Sequence, residues 1–400
     1  MSSRVPLLAG IAALSFFAGI TGIHLAYTLT YVLLALLILA FIWTRAIARR
    51  IAVDRTSPAG SYSVGEPFSE HFTVHNRSLL WVPYCEVHDR SDIPGYAAGR
   101  ACALAAGDSV SWTARGRFTS RGRLRFGPLE ARIGDPFGLF SRTVRLAARS
   151  EVTVYPALHP LEDMGPMWGG DGAGDLRRGK AVDVPPEVAS VRDYDPHDGM
   201  SRIHWASTAR TGRLMSRTYD TRYSADLLVV LDLRAGVHAG QAPESSLEYA
   251  VSIAASIVHA VARRGQAVGL ITNDADMRAF GAGRGEAQRM RLLDYLATAR
   301  DNGATPLAQV VSRHGEGWRG RGGMVVVSAA RDPAWVEALV DSGARGQRHL
   351  AVLLETASFG APGPPLRIPA AWRLALDWWL VRRGDVLGSG ERARAAGDCP

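Results

Sequence analysis

The stretch VRDYDPHDGMSRIHW, residues 191–205, brings acidic, basic, imidazole and aromatic side chains together in one short segment. Asp195-Pro196 predicts a turn, because proline fixes φ directly after an aspartate that can bond its own backbone. Asp198 is then the expected N-cap of a helix, since an aspartate side chain accepts from the free N–H groups of a first turn. That helix would carry Met200, Ile203 and His204 on one face, with Trp205 packed inward.

Working outward, the helix is expected to end at Thr211-Gly212, and Leu214–Tyr219 follows as a short strand. Farther along, short apolar strands alternate with amphipathic helices. The expected strands are Leu227–Leu231, Ala267–Thr272, Met324–Val327 and Leu350–Leu354, and the expected helices are Leu247–Ala262, Gln288–Ala299 and Pro333–Val340. Buried strands that alternate with helices indicate a parallel sheet covered on both faces, so residues 187–388 are predicted to form an α/β module.

The N-terminal part contains two uncharged stretches, Val5–Ile23 and Leu25–Trp43. At about 1.5 Å per residue each nearly spans a hydrocarbon core of about 30 Å, which predicts a transmembrane helical hairpin over residues 1–44. Arginines precede the first stretch and follow the second, at Arg4, Arg45, Arg49, Arg50 and Arg55. The positive-inside rule therefore predicts a multi-pass protein of the plasma membrane with its soluble domains in the cytoplasm. The alternative is a signal peptide followed by one anchor, with the remaining chain outside.

Residues 51–150 change to short alternating runs separated by turns, which predicts a β-sandwich of immunoglobulin-like type. The arginines expected on one exposed face, solvated or against the anionic lipid bilayer, are Arg117, Arg121, Arg123, Arg125 and Arg132. Residues 155–186 are rich in glycine, proline and aspartate and predict a linker, and residues 389–400 predict a disordered tail.

The composition limits the partners. The chain has 400 residues, 47% of them hydrophobic, and a formal net charge of +8, which leaves room for two or three domains. Lys180 is the only lysine among 46 basic residues, which indicates a compositional excess of arginine. No nucleic-acid motif or zinc-spaced set accompanies this charge, so nucleic acid is not an expected partner. Cys85, Cys102 and Cys399 show no spacing typical of a disulfide framework and suit a reducing compartment.

The run from Val191 to Trp205, continued by STARTGRL at residues 207–214, resembles the signature of the bacterial family called domain of unknown function 58. The α/β module, with Asp232 after its first strand, is similar to a von Willebrand factor A domain. That resemblance implies a divalent-cation loop Asp-x-Ser-x-Ser, a threonine and a later aspartate. Here Asp232 and Thr305 match, but Arg234 and Gly236 stand where the serines belong, and Ser328 follows the later strand. A fixed cation and missing oxygen ligands predict a degenerate site that holds no metal cofactor.

Family members are typically encoded beside MoxR-type ATPases and membrane proteins with transglutaminase-like domains. The resemblance therefore implies a non-enzymatic, membrane-anchored scaffold or adaptor that binds a MoxR-type AAA+ ATPase and membrane partners of that kind. The predicted partner-binding residues are Arg192, Asp193, Asp195, Asp198, Arg202, His204, Trp205 and Arg210.

Two alternatives from other functional classes remain open. The first is a hydrolase in which Asp193, Asp198 and His204 activate water, although no nucleophile or oxyanion motif lies beside them. The second is a metal-dependent binding domain that faces outward. A calcium loop beginning at Asp193 is disfavoured, because its sixth position is Asp198 instead of glycine and its twelfth is His204 instead of glutamate.

Overall fold

The computed structural model describes residues 4–147, 150–161, 188–195, 203–219, 226–318, 322–342, 349–366, 368–370, 372, 376–387 and 392–393. The chain divides into two compact units, an N-terminal unit Met1–Tyr155 and a C-terminal unit Pro156–Pro400. Most of the predicted linker, residues 162–186, lies outside the described residues.

Two apolar helices open the N-terminal unit, α1 (Arg4–Thr21) and α2 (His24–Ala48). Gly22, with φ +67°, allows the sharp turn between them, since only glycine adopts this conformation without strain. Helix α2 has 25 residues and is long and apolar enough to cross a membrane, whereas the apolar part of α1, Val5–Thr21, is shorter. Large apolar side chains such as Phe16 and Leu25 are exposed on both helices. Among the described residues, α2 is therefore the one candidate membrane span, and it lies near the N-terminus.

Ten strands follow among the described residues of the same unit. They are β1 (Ile51–Thr56), β2 (Ser61–Ser63), β3 (Pro67–Asn76), β4 (Val82–Asp89), β5 (Arg100–Leu104), β6 (Ser109–Arg117), β7 (Gly122–Phe126), β8 (Leu129–Gly134), β9 (Ser141–Ala147) and β10 (Ser150–Tyr155). Within the described residues they form three sheets, ordered β1-β3-β6, β5-β4-β8-β9 and β2-β10-β7. The prediction of an all-β region is confirmed, and β10 carries it past residue 150 to Tyr155.

The arginines predicted to share one exposed face lie in different sheets. Arg117 ends β6, Arg123 and Arg125 lie in β7, and Arg132 lies in β8. Those strands belong to three separate sheets, so that prediction is wrong. Alternation shows which residues of a strand face outward, but it does not show which sheet the strand joins.

A buried ionic cluster connects two sheets of the N-terminal unit, β1-β3-β6 and β5-β4-β8-β9. Arg55 on β1 donates from Nε to Glu70 Oε1 (2.8 Å) and from Nη2 to Glu70 Oε2 (3.0 Å). Its Nη1 lies 3.6 Å from Asp89 Oδ1, and the side chains of Arg55, Glu70 and Asp89 are 4%, 0% and 2% exposed. The Tyr96 hydroxyl donates to Glu70 Oε2 (2.6 Å). Arg55 was expected to be a membrane-flanking charge; instead its guanidinium lies within this cluster.

The C-terminal unit begins with β11 (Val188–Asp193), α3 (Trp205–Thr211) and β12 (Met215–Tyr219). The main sheet and its helices follow as β13 (Asp226–Leu231), α4 (Ser246–Arg263), β14 (Val268–Thr272), β15 (Ala279–Gly283), α5 (Glu286–Thr298), α6 (Leu307–Trp318), β16 (Gly322–Ser328), α7 (Ala334–Ser342), β17 (His349–Leu354), β18 (Asp377–Val381) and β19 (Arg392–Ala393).

As far as the chain is described, the main sheet has seven strands in the order β15-β14-β13-β16-β17-β18-β19. Strands β14, β13, β16, β17 and β18 are parallel, and the edge strands β15 and β19 are antiparallel. The predicted parallel sheet is thus confirmed as the centre of a mixed sheet. Residues 392–393 were assigned to a disordered tail, but their backbone pairs with Trp378 and Trp379, so the prediction is wrong for these two.

The order in which strands are added to the main sheet reverses at β13. The chain first builds outward through β14 and β15, and it then returns to place β16 on the other side of β13. Ligands of open α/β sheets bind at such a switch point, beyond the carboxyl ends of the two central strands. In this unit that position follows Leu231 of β13 and Ser328 of β16.

Candidate functional site

Polar residues lie at the carboxyl ends of three neighbouring strands at the switch point. Asp232 comes directly after β13, Asn273 comes directly after β14, and Ser328 is the last residue of β16. All three side chains are buried, and Asp232 and Asn273 are 0% exposed. A carboxylate in such a place needs hydrogen-bond donors, because burial without them is costly.

Asp232 receives those donors from three directions. Its Oδ1 accepts from Asn273 Nδ2 (2.8 Å) and from the backbone N–H of Arg234 (3.2 Å). Its Oδ2 accepts from Ser328 Oγ (2.7 Å), which in turn accepts from the backbone N–H of Ala330 (2.9 Å). Every described partner of this carboxylate is a donor. We call Asp232, Asn273 and Ser328 with these bonds the Asp232 network.

Asn273 joins the Asp232 network to the surrounding loops. Its Oδ1 accepts from the backbone N–H of Leu233 (2.5 Å), and its Nδ2 also donates to the carbonyl of Thr305 (3.0 Å). The loop at Gly303 packs closely here, since a Cβ on Gly303 would lie 1.6 Å from the Asn273 carbonyl oxygen. Only glycine fits this approach. The loops after β13, β14, β16 and α5 are therefore held together by backbone and side-chain hydrogen bonds.

The donor set does not suit a divalent cation. Magnesium needs several oxygen ligands in near-octahedral geometry, whereas both oxygens of Asp232 face N–H and O–H groups. Gly236 supplies no side chain, and Thr305 Oγ1 donates to Met277 Sδ (3.3 Å). Arg234 contacts Asp232 through its backbone N–H. Among the described residues there is also no cluster of three or more His, Cys, Asp or Glu side chains that could hold a metal.

The second candidate region is the signature segment, residues 188–219 where described. Strand β12 pairs with β11 along one side, and on the other Ile203 forms a bridge with Ser216. The backbone N–H of His204 donates to the Met215 carbonyl (2.8 Å). This pairing keeps the chain extended through residue 204, so α3 begins only at Trp205.

His204 is the N-cap of α3. Its Nδ1 accepts from the backbone N–H of Ser207 (3.2 Å) and lies 2.7 Å from Ser207 Oγ. The predicted cap at Asp198 is wrong for this helix, because the first turn starts seven residues later at Trp205. Ile203 and His204 were expected on a helical face and instead precede the helix. The predicted C-terminal end is confirmed, with Gly212 at φ +69° as C-cap.

The remaining predicted partner-binding residues have varied surroundings. Asp193, Asp195 and Arg210 are exposed. Trp205 is 64% exposed, so the expectation that it packs inward is wrong. The backbone of Arg192 pairs with Ser216 in the β11–β12 sheet. Asp198 and Arg202 lie outside the described residues.

The role of His204 predicts a specific response to substitution. His204→Ala should lower the free energy of unfolding by about 1 kcal/mol, because the N–H of Ser207 loses its side-chain acceptor. His204→Asn should retain most of that stability, since asparagine is a good N-cap. Urea unfolding of the full chain with each substitution measures the difference. Equal losses for alanine and asparagine would show that the imidazole does something other than capping.

Sequence patterns alone did not identify Asn273 and Ser328 as hydrogen-bond donors to Asp232. The only available signal was position, because a polar residue directly after a buried strand lies at the carboxyl edge of the sheet. Asn273 follows β14 and Ser328 ends β16, so both met that criterion. Their contacts with Asp232 could not be predicted, because the partners are far apart in the sequence. Asn273 lies 41 positions and Ser328 lies 96 positions after Asp232.

Comparison with known families identifies the region that holds both candidate sites. Residues 190–356 match the family described as "Protein of unknown function DUF58". This match makes residues 190–356 the DUF58 region of the chain. The DUF58 region thus includes the signature segment from residue 190 onward, the Asp232 network and the switch point of the sheet. The chain is also similar to "Uncharacterized protein YeaD" of Bacillus subtilis (strain 168), with 25% identity over 193 residues. That match covers 47% of this chain and 46% of the relative.

Two solved structures each align with about a quarter of the chain. The CARDB domain of PF1109 from Pyrococcus furiosus aligns with 18% identity and a TM-score of 0.20, over 26% of this chain and 94% of that chain. The sporulation control protein Spo0M from Bacillus subtilis aligns with 8% identity and a TM-score of 0.18, over 26% of this chain and 49% of that chain. These TM-scores are too low to indicate a shared overall fold.

Proposed function

We propose that this protein is a membrane-anchored cytoplasmic scaffold or adaptor whose DUF58 region binds a protein partner without a metal ion. The observation that carries the proposal is the Asp232 network, in which a buried carboxylate at the switch point is bonded to N–H and O–H donors. Such a network holds the loops at the carboxyl edge in place and engages both oxygens of the carboxylate with protein donors. A rigid, non-catalytic surface is what an adaptor requires.

The strand order supports a von Willebrand factor A-like fold for the C-terminal unit. Its six principal strands run β15-β14-β13-β16-β17-β18, with the β15 edge antiparallel and the rest parallel. In this arrangement Asp232 holds the position of the first metal-binding carboxylate, and its hydrogen-bond donors replace the metal. For the N-terminal unit we propose an immunoglobulin-like sandwich, which its mostly antiparallel sheets support.

We further propose that α1 and α2 form a transmembrane hairpin in the plasma membrane. Arg45, Arg49 and Arg50 are exposed at the end of α2, as expected for residues on the cytoplasmic side. A reporter enzyme active only outside the cytoplasm, fused after residue 388, should then be inactive, while a cytoplasmic reporter should be active. The reverse pattern would support a cleaved signal peptide or single anchor and would contradict a cytoplasmic partner.

For the binding surface we propose the outer face of α3. This face is made of four exposed residues, whose spacing places them on one side of the helix: Trp205, Ala206, Ala209 and Arg210. Tryptophan and arginine contribute most to protein interfaces, and small neighbours leave the indole accessible. From the family resemblance, the proposed partner is a MoxR-type AAA+ ATPase, and a membrane protein with a transglutaminase-like domain is a second.

Substitution of Trp205 tests this surface. Trp205→Ala in the full chain should weaken binding of the ATPase about thirtyfold, because a tryptophan that is a hot spot of an interface is worth about 2 kcal/mol. Trp81 is a matched control, since it is 50% exposed and lies in the N-terminal unit. Trp81→Ala should leave binding within about twofold of the unsubstituted chain, within the scatter of such scans.

The opposite results distinguish the alternatives. Normal binding with Trp205→Ala would exclude the α3 face as the contact surface. Turnover of a hydrolysable substrate that disappears with His204→Asn, while the fold and binding remain, would favour the hydrolase. In the hydrolase the base would be His204 Nε2, because Nδ1 is engaged by Ser207 in the capping bond.

A further inference from the structure

The N-terminal unit holds two cysteines directly opposite each other on adjacent antiparallel strands. Cys85 lies on β4 and Cys102 on β5, and the two are register partners. Residues directly opposite in an antiparallel pair have Cα atoms about 4.5–5.5 Å apart. A disulfide requires Cα atoms about 4.4–6.8 Å apart, so this register matches the Cα spacing that a bridge needs.

The two thiols differ in accessibility. Cys85 is 0% exposed within the apolar core of the unit, beside Val87, Ala131 and Ile133. Cys102 is half-buried on β5, which is the edge strand of its sheet. A reagent from solvent therefore reaches Cys102 first, and Cys85 is placed to react only with its neighbour.

We propose that Cys85 and Cys102 are a redox modification site, which forms a reversible disulfide by exchange with a low-molecular-weight disulfide such as oxidised glutathione. Both cysteines are free thiols in the structure. The bridge would close a loop that contains Tyr96, whose hydroxyl donates to Glu70 in the buried ionic cluster. Oxidation would thus fasten the edge strand and the loop before it to the core.

The exchange takes place in two balanced steps. The Cys102 thiolate attacks one sulfur of the reagent RS–SR, which forms a protein–S–S–R bond and releases RS⁻. The Cys85 thiol then loses its proton and attacks the Cys102 sulfur, which releases the second RS⁻. The two protein thiols are oxidised by two electrons, and the reagent is reduced to two molecules of RSH after protonation.

The electrostatics favour Cys102 as the attacking thiol. Its pKa is lowered to about 7, first by the hydrogen bond from Cys85 and also by the nearby positive charge of Arg100. The same contact and its burial raise the pKa of Cys85, which therefore remains a thiol until the mixed disulfide forms. A thiolate on the more accessible cysteine and a neutral thiol on the buried one match an attacking and a resolving cysteine.

Intact mass spectrometry of the full-length protein tests the site. In a Cys399→Ser background, the folded, detergent-solubilised chain is incubated with oxidised glutathione, and remaining thiols are then blocked with N-ethylmaleimide. We expect a product that is lighter than the reduced chain by two hydrogen atoms, carries no blocking group and is reversed by dithiothreitol. Its melting temperature should rise by at least about 5 °C, as for other loop-closing disulfides.

Single substitutions separate the two roles. Cys85→Ser should retain one glutathione on Cys102, and Cys85→Ala serves if the serine variant does not fold. Cys102→Ser should be modified at least about tenfold more slowly, because the buried Cys85 is shielded. Glutathione that remains on Cys102 of the Cys399→Ser chain without a bridge would overturn the proposal. A chain that stays fully reduced under conditions that modify the Cys85 variant would also overturn it.

Discussion

Asp232→Asn is expected to lower the free energy of unfolding of the C-terminal unit by about 3 kcal/mol, because an amide cannot replace the carboxylate in this network. Asn273, Ser328 and the backbone N–H of Arg234 all donate to Asp232. The new NH₂ group would face one of these donors and leave buried polar atoms without partners. A carboxylate that served only as a metal ligand would respond differently. Its amide variant would lose metal affinity but would be nearly as stable as the metal-free protein.

Asp276→Asn is the matched control. The Asp276 side chain is 64% exposed and pairs with the exposed Arg278, so its substitution should change stability by less than about 0.5 kcal/mol. Urea unfolding in EDTA and in magnesium should give the same midpoint for the unsubstituted chain. A midpoint raised by magnesium and independent of residue 232 in EDTA would contradict the Asp232 network as the stabilising element.

Arg55→Met is expected to cost the N-terminal unit about 3–5 kcal/mol, because it leaves buried carboxylates without their cation. Glu70 is 0% exposed and Asp89 is 2% exposed, and both face the Arg55 guanidinium. Methionine keeps much of the apolar contact that Arg55 makes over the rings of Phe72 and Phe126. The loss therefore measures the uncompensated charge more than the packing.

Two further variants test the cause of that loss. Arg125→Met breaks an ion pair with Glu151, in which the Arg125 and Glu151 side chains are 56% and 60% exposed. Because the pair is exposed, this substitution should lower the free energy of unfolding by less than about 1 kcal/mol. Adding Glu70→Gln to Arg55→Met removes one buried charge and should restore part of the stability. Equal midpoints for Arg55→Met and Arg125→Met would show that the buried cluster contributes nothing beyond a surface pair.

Hydrophobic periodicity predicted both halves of this fold, because it depends on neighbouring residues alone. The apolar run Leu227–Leu231 predicted the central strand β13, and the alternation in residues 51–150 predicted the sheets of the N-terminal unit. Asp232 was also predicted at the carboxyl end of β13. Its actual partners were not, since Ser328 lies 96 residues away in the sequence.

Other errors have the same physical origin. Asp198 is a good N-cap by residue type, but the pairing of Ile203 with Ser216 keeps the chain extended up to His204. Arg55 followed a membrane span and was interpreted as a flanking charge. Its carboxylate partner Glu70 occupies an inward position of β3, which an acidic residue type alone does not reveal. Cys85 and Cys102 showed no motif, because strand register brings them together.

The most direct test of a metal-free adaptor is the affinity of the full chain, in nanodiscs, for its cognate MoxR-type ATPase without nucleotide. The dissociation constant is measured once with magnesium and once with EDTA. We expect binding with the same constant in both, because the oxygens of Asp232 are bonded to protein donors. Binding that EDTA abolishes would establish a metal-dependent domain, and the absence of binding in both conditions would contradict the adaptor itself.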